Sequence, residues 1–408
     1  KILIDFPGIP VFADAVVDPH ILILTNEPYQ LKTEACALNA NIADLETYFE
    51  NNKTTKTFSS ESWTIIPPAD ERKLEKMKRN GTELKDLPIN INYGIKTGFN
   101  DAFFIDEETR DKLVTADPKS AELIKPMVRG RDISAYETTG FEYLINVHNG
   151  IKEKNPPLLP VSIDDFPAIK QHLNTFYPML EKRGDKGETP YNLRNCAYLE
   201  EFSKPKIIYP NMTSVFPFTY DESGFFSNDK SFILTAKDES VSLLFLTAVL
   251  NSSLAKLWIW WNCPELGDNR REIRKVYFEH FPVPKATEEQ TAQLAALATQ
   301  RTQLTSGLQT TVTKFQRTIQ RRFNLAGLPL KLQNWHLLTF AEFTKELAKK
   351  KVKLSLAAEA EWEDYFGAEA QKAQALQSEI NKTDREIDQM VYALYGLVET
   401  EIEIVKEN

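Results

Sequence analysis

Two short stretches carry side chains that can bind an anion. In the first, Gly94 and Gly98 bracket a turn that presents three polar side chains: Lys96, Thr97 and Asn100. Glycine reaches positive φ and lets a backbone or a ligand approach closely. In the second, a loop framed by a proline and a glycine holds three cations within seven residues: Lys125, Arg129 and Arg131. The turn and the loop are suited to face one anionic ligand, but their spacing alone favours two ordinary surface turns.

The overall composition neither requires nor excludes a polyanionic ligand. The formal net charge is -9, so only local basic clusters can bind phosphate. The three cysteines form no CxxC pair or disulfide framework, and the five histidines show no metal-site spacing, so a cytoplasmic protein is expected. The most apolar long stretch, residues 243–261, is interrupted by Asn251, Ser252, Ser253 and Lys256. It predicts a buried helix and no membrane span.

The two stretches also carry a family resemblance. They read YGIKTGFNDAFFID over 93–106 and LIKPMVRGRDI over 123–133, and later segments read KPKIIYPNMTSVFPFTYDESGFFSNDKSFIL over 204–234, LTAVLNSSLAKLW over 246–258 and IRKVYFEHFPVP over 273–284. Together and in this order they resemble the TaqI-like C-terminal specificity domain. That domain is the target-recognition module of adenine-specific restriction–modification methyltransferases, including fused Type IIG enzymes and the methyltransferases of bacterial BREX phage defence. The resemblance covers most of the chain and implies that it binds double-stranded DNA.

The sequence lacks the motifs of a catalytic domain. An adenine methyltransferase holds S-adenosylmethionine on a glycine-rich loop, but no Gly-x-Gly follows an early strand here. Residues 155–158 are superficially similar to the Asn-Pro-Pro-aromatic loop that holds a flipped base, but Leu158 offers no stacking face. We therefore predict no catalytic, cofactor-binding or metal-binding residue, with S-adenosylmethionine expected in a methyltransferase domain outside this chain. An independent enzyme with an unrecognised site is the weakest alternative.

Four polar clusters qualify as DNA contacts. Base edges are read by Arg, Lys, Asn, Gln and hydroxyl side chains, and cations on phosphates set the register. The turn and the basic loop are the first two clusters, polar residues between 191 and 230 form the third, and residues 269–275 hold four cations. A solvated surface is the alternative for each cluster, and Arg129 and Arg131 equally fit pairing with Asp132 or Glu137. The predicted contacts are Lys96, Thr97, Asn100, Lys125, Arg129, Arg131, Asn192, Arg194, Asn195, Lys206, Asn211, Asn228, Lys230, Arg270, Arg271, Arg274 and Lys275.

The elements that position these clusters predict an α+β fold in four parts. Residues 1–28 alternate short apolar runs with Pro and Gly and resemble the last strands of a preceding methyltransferase domain, so the chain is expected to be part of a longer polypeptide. Residues 29–60 are predicted as a linker with a helix over 34–51 and a polar stretch at 51–55. Residues 61–285 form the mixed, mainly β recognition domain, and residues 286–408 an α-helical region.

Within the recognition domain, apolar runs and turn residues predict the local structure. A helix is expected over 70–80, ended by Gly81, and another over 165–183, broken at Pro178. A long apolar helix is expected over 240–262. A turn at 221–224 is predicted to join the last two of a set of short strands at 62–66, 102–105, 141–147, 206–209, 216–220 and 232–235.

Beyond residue 285 apolar residues follow a heptad-like rhythm, first from Leu297 to Ile319 and again from Ala373 to Leu394. Two such helices, with shorter helical pieces between them, predict a coiled or bundled region. Packing within the bundle accounts for these residues. The alternative function is an interaction module in which this region docks another subunit or a second copy of the chain.

Overall fold

The computed structural model describes residues 1–6, 9, 11–12, 19–28, 32–38, 42, 44–57, 65–267 and 269–406. Up to residue 284 the elements are, in chain order, β1 (Ile2–Asp5), β2 (His20–Ile23), β3 (Thr33–Ala37), α1 (Leu45–Asn52), β4 (Thr54–Lys56), α2 (Pro68–Asn80), β5 (Gly81–Glu83), β6 (Ile89–Tyr93), α3 (Asn100–Phe103), β7 (Phe104–Ile105), α4 (Glu107–Ala116), β8 (Ile124–Val128), β9 (Ile133–Ser134), β10 (Glu137–Thr138), β11 (Glu142–Ile145), α5 (Pro167–Asn174), α6 (Tyr177–Lys182), β12 (Lys206–Pro210), β13 (Met212–Thr213), β14 (Thr219–Asp221), β15 (Phe226–Ser227), β16 (Ser231–Ala236), α7 (Leu243–Asn251), α8 (Ser253–Asn262), β17 (Arg271–Glu272), α9 (Lys275–Phe278) and β18 (Pro282–Pro284). They are followed by α10 (Glu288–Phe323), α11 (Leu330–Gln333), α12 (Phe340–Lys349), α13 (Leu356–Tyr395) and α14 (Glu399–Lys406). The predicted α+β class is confirmed.

The first sheet includes residues that were predicted as a linker. Its strand order is β2-β1-β3-β4, and β1 runs antiparallel to β2 and parallel to β3. The predicted helix over 34–51 is wrong in its first part, because Ala35 and Cys36 are buried in strand β3 beside β1. Helix α1 begins only at Leu45, where the side chain of Asp44 accepts from the backbone N–H of Thr47. The polar stretch at 51–55 ends α1 and begins β4, and most of the strand predicted at 62–66 lies outside the described residues.

Two four-stranded sheets form the middle of the chain, with the orders β15-β8-β11-β7 and β14-β12-β16-β6. Strand β12 is buried along its whole length. Side chains alternate between the two faces of a strand, so Ile207 and Tyr209 enter one apolar core with α7 and α8, and Ile208 enters another with β8 and β11. A strand that lies between two cores buries apolar side chains on both faces, which explains the continuous run Ile207–Tyr209.

Backbone pairing corrects several local predictions. The run at 102–105 is not one strand, because α3 ends at Phe103 and only Phe104–Ile105 pairs with β11. The turn at 221–224 leads into β15 and does not join its two predicted strands, since β14 and β16 lie on either side of β12. The helix predicted over 165–183 is two helices, and Pro178 lies in the first turn of α6. Helix α2 ends before Gly81 as predicted.

The long apolar helix predicted over 240–262 is also two helices, α7 and α8, bent by 73°. The break follows from Ser252, whose side chain accepts from the backbone N–H of Ala255 and caps α8. Most side chains of both helices are buried in the core. No single helix in the described part of the chain is long and apolar enough to cross a membrane, and this bent pair alone meets the length and composition when counted together.

The helical region is built on two long helices that pack against each other, and the predicted bundle is confirmed. The pair is antiparallel, because Arg301 contacts Asp384 and Gly307 lies beside Leu376. A capping box at Thr287 begins α10. The heptad residues face other residues of the same chain: Val312, Phe315, Ile319 and Ala373 in the bundle core, and Ile387 in the core with α7 and α8. The heptad rhythm therefore no longer argues for docking a second chain.

Candidate nucleic-acid interface

The turn between β15 and β16 is the place where three of the predicted clusters meet. The backbone N–H of Ile95, in the first cluster, donates to the carbonyl oxygen of Ser227 at 2.6 Å. The backbone N–H of Asn211 donates to the carbonyl oxygen of Lys230 at 2.9 Å, and both belong to the third cluster. The backbone N–H of Ile273, in the fourth, donates to the carbonyl oxygen of Asn211 at 2.7 Å. Backbone hydrogen bonds thus hold together segments that lie up to 178 residues apart in sequence, from Ile95 to Ile273.

The basic loop joins the same junction through a glycine. The backbone N–H of Gly130 donates to the side-chain Oδ1 of Asn228 at 3.3 Å. A Cβ on Gly130 would lie 2.6 Å from the carbonyl oxygen of Lys230, and one on Gly94 would lie 1.9 Å from that of Asn228. Both glycines are therefore needed for the close approach of two backbones. Backbone hydrogen bonds and close glycine contacts thus join segments of all four clusters.

The first and third clusters also meet at one acidic side chain. Lys96 Nζ lies 2.8 Å from Asp185, and Arg194 Nη1 lies 3.4 Å from the same carboxylate. The hydrogen bond from Lys96 holds the pKa of Asp185 below its ordinary value. Gly98 has φ of +72°, which confirms the predicted glycine turn. Exposed ion pairs contribute little net free energy, so a phosphate can replace Asp185 as the partner of either cation.

Arg183 positions both clusters and was missed in the sequence. It is buried, and its guanidinium donates to the carbonyl oxygens of Thr97, Pro190 and Asn192. Its charge lies 4.6 Å from the ring centre of Phe103, and burial lowers its pKa to about 10. The only sequence signal was an arginine just before Gly184, which does not separate a buried group from a solvated one.

In the fourth cluster the predicted cations divide between the interior and the surface. Arg271 is buried, lies 3.0 Å from Glu265 and stacks 4.0 Å from the ring centre of Trp260. Burial lowers its pKa. The side chain of Arg274 is 52% exposed and pairs with Glu272 at 2.7 Å. Arg270 and Lys275 are exposed as well.

Several predicted contacts have structural roles instead, because their polar atoms are buried and occupied. Lys206 is fully buried, pairs with Asp221 and donates to the carbonyl oxygen of Phe202. Asn192 is 1% exposed and its amide donates to two backbone carbonyl oxygens. Thr97, also 1% exposed, donates its hydroxyl to Asn100 at 2.6 Å. These side chains hold loops in place. Like Arg271 and Asn228 they are buried, whereas the prediction that they contact DNA requires exposed side chains.

The remaining predicted residues reach the surface. Arg129 is half-buried and pairs with Glu142, not with Asp132 or Glu137, while Arg131 lies 3.8 Å from Asp132. Lys125 lies in strand β8 rather than in a loop, and Asn211 is half-buried. The exposed members are Lys96, Asn100, Arg131, Arg194, Asn195, Lys230, Arg270, Arg274 and Lys275.

Residues 155–157 lie in an exposed loop closed by the backbone pairing of Ile151 with Leu158. No group of His, Cys, Asp and Glu side chains among the described residues could hold a metal ion. The predicted clusters provide exposed hydrogen-bond donors and cations. They lie on several loops that backbone hydrogen bonds hold together.

Comparison with known proteins adds two family matches. Residues 125–283 match the TaqI-like C-terminal specificity domain. Residues 287–391 match a domain of unknown function, DUF8810. The first match begins in β8 and ends in β18, so it contains the basic loop, the β15–β16 turn and the fourth cluster.

The chain is also similar to enzymes of restriction–modification systems. It is 22% identical over 264 residues to the Type II methyltransferase M.BstVI of Geobacillus stearothermophilus, which covers 60% of this chain and 44% of that protein. The chain thus spans less than half the length of this relative. The Type IIL restriction–modification enzyme MmeI, solved in complex with DNA, has a TM-score of 0.50 and 12% identity, over 100% of this chain and 45% of that one. The type IIG restriction endonuclease BpuSI has a TM-score of 0.39 and 12% identity, over 73% and 38%.

At this identity the likeness to MmeI shows the fold alone. The family match is more specific, because it covers the strands and loops on which the second, third and fourth clusters lie. Residues 125–283 of this chain are therefore similar to the TaqI-like C-terminal specificity domain.

Proposed function

We propose that this chain is the part of a restriction–modification enzyme that recognises a short, asymmetric site in duplex DNA. It presents one adenine to a methyltransferase domain that lies outside the chain and binds S-adenosylmethionine. Supporting this proposal are the match to a specificity domain and the similarity to a Type II methyltransferase. A parent enzyme of type IIG or of phage defence in bacteria is a narrower form of the same proposal.

The observation that carries the proposal is the junction at the β15–β16 turn. Backbone hydrogen bonds and glycine contacts hold together separate loops that carry exposed cations. Sequence readout needs side chains placed on rigid supports, because a shift of one ångström breaks a base contact. A surface of flexible, independently solvated loops would not support this function.

The chemistry of each exposed side chain determines which part of the DNA it contacts. Arg131, Lys230 and Arg274 bind phosphates or guanine edges, since arginine and lysine do both. Asn100 and Asn195 are the exposed amides, suited to adenine edges. The adenine leaves the helix only in the partner domain's pocket, so this chain needs no aromatic clamp of its own.

The test is a binding selection of the chain against a randomised duplex library at low and moderate salt. Enrichment of one short motif that contains adenine supports the proposal and identifies the target. Salt-sensitive binding without enrichment means that specificity needs the methyltransferase domain. No binding at either salt concentration overturns the proposal.

A further inference from the structure

Helix α10 has a basic composition that the specificity domain does not explain. From Gln290 to Phe323 it holds five cations and no carboxylate, in a chain with a net charge of -9. The helix packed against it, α13, holds nine carboxylates and three cations. Positive charge is thus concentrated on α10, and α13 carries an excess of negative charge.

Three of these cations lie on one exposed face of α10. Side chains three and four positions apart lie on the same side of a helix, which aligns Lys314, Arg317 and Arg321. At 1.5 Å per residue they span about 10 Å. All three are exposed, and the opposite face buries Val312, Phe315 and Ile319 in the bundle core.

Structural roles do not account for this face. Arg301, earlier on the same helix, pairs with Asp384 at 2.7 Å. In the part of the chain that the structure describes, Lys314, Arg317 and Arg321 have no carboxylate within 4.0 Å. Cations in the last turn favour the helix dipole, which explains Arg321 but not the other two, since α10 continues to Phe323. Three unpaired cations on one face repel each other unless an anion neutralises them.

Arg301 connects α10 to the loop that follows Arg131, from the buried side of the helix opposite to this face. Its guanidinium lies 5.1 Å from the ring centre of Tyr136, which connects β9 to β10 shortly after Arg131. From Arg301 to Lys314 the helix rises by about 20 Å. Ten base pairs of duplex extend about 34 Å, which is longer than this separation along the helix.

We propose that Lys314, Arg317 and Arg321 form a second DNA-contact surface, which binds phosphates of the duplex that flanks the recognised site. This inference rests on the proposed function and adds to it phosphate contacts that do not depend on the base sequence of the DNA. Cations on phosphates contribute affinity and steep salt dependence without reading bases. It gives a role to the region that matches a domain of unknown function.

The test uses the full 408-residue chain with the triple substitution K314Q/R317Q/R321Q. The matched control K349Q/K350Q/K351Q removes three charges from the end of α12 and the turn that follows it. The probes are duplexes of about 14 and about 40 base pairs with the same centre, either the selected motif or one fixed mixed sequence. Light scattering on both variants records the oligomeric state.

We expect the triple variant to bind the long duplex about tenfold more weakly at low salt, with a salt slope lower by about 2 to 3. Binding of the short duplex changes less than about twofold, and the control binds both as the unmodified chain does. Unchanged binding of the long duplex, or equal weakening on both lengths, overturns the inference and leaves the proposed function intact. A changed oligomeric state with unchanged DNA binding also overturns it, because the face then contacts protein. If the unmodified chain binds neither duplex, the proposed function itself fails.

Discussion

Arg183 and Thr97 lie 86 residues apart in sequence, and the guanidinium of Arg183 donates a hydrogen bond to the carbonyl oxygen of Thr97. The same group donates to the carbonyl oxygen of Asn192 at 2.6 Å. One planar side chain thereby connects the turn of the first cluster to the loop of the third. The relative placement of Lys96 and Arg194 depends on this buried group.

We predict that Arg183→Lys lowers the free energy of unfolding by about 2–4 kcal/mol. Lysine keeps the charge but lacks the planar fork that reaches three carbonyl oxygens at once. Urea denaturation measures the change. Arg194→Lys, on an exposed arginine of the same surface, is the control and should shift the unfolding free energy by less than about 0.5 kcal/mol. A stable Arg183→Lys protein would show that the three hydrogen bonds do not hold the loops.

A second prediction concerns Gly94. A methyl group there would lie 1.9 Å from the carbonyl oxygen of Asn228, whereas one on Gly140 meets nothing within 4 Å. We expect Gly94→Ala to cost about 1–3 kcal/mol of stability and to weaken DNA binding, because the junction must open. Gly140→Ala should leave both unchanged. Equal behaviour of the two variants in urea denaturation and DNA titration would contradict the close approach.

The third prediction concerns acid stability. Burial lowers the pKa of His172 from 6.5, and its ring Nε2 lies 3.0 Å from the carbonyl oxygen of Ala102. A histidine whose pKa is lower in the folded state binds fewer protons there, so its contribution is complete above about pH 6.5 and is lost as the pH falls below that value. Burial also lowers the pKa of His148 and His336. The three histidines therefore all lower the free energy of unfolding as the pH falls.

Glutamine at position 172 keeps an N–H donor for Ala102 but does not titrate. We therefore expect His172→Gln to lose less stability than the unmodified chain between about pH 7.5 and about pH 5.5. Urea denaturation at the two pH values gives the difference. An identical pH dependence in both proteins would mean that His172 titrates alike in the folded and unfolded states.

The sequence predicts the features that depend on local chemistry. The helix over 70–80, the glycine turn at 94–98 and the bundle after residue 285 follow from periodicity, caps and turn residues. It misses features that depend on distant partners. Residues 33–37 form a strand because β1 lies beside them, and Lys206 is buried because Asp221 and the carbonyl oxygen of Phe202 complete its bonds.

The same distinction between local sequence and distant partners applies to the predicted DNA contacts. Cation clusters are visible in the sequence, but whether each cation is solvated or buried depends on the fold. Arg271 and Arg274 are three residues apart, and only the first lies against an indole ring and a carboxylate in the interior. The hydrogen bonds that join Ile95, Asn211 and Ile273 to one turn leave no trace in composition, because they use backbone atoms.

The last prediction tests the fourth cluster. Arg270 and Arg274 are exposed, so charge reversal at both removes the Arg274–Glu272 ion pair but opens no cavity in the core. We expect R270E/R274E to bind duplex DNA about 10- to 100-fold more weakly, with a salt slope lower by about 2, because two phosphate contacts are replaced by repulsion. K349E/K350E, an equal reversal on the helical region, is the control. If R270E/R274E binds as tightly as the unmodified chain, the DNA lies along Lys96 and Arg194 instead, and reversal at those two positions must then abolish binding.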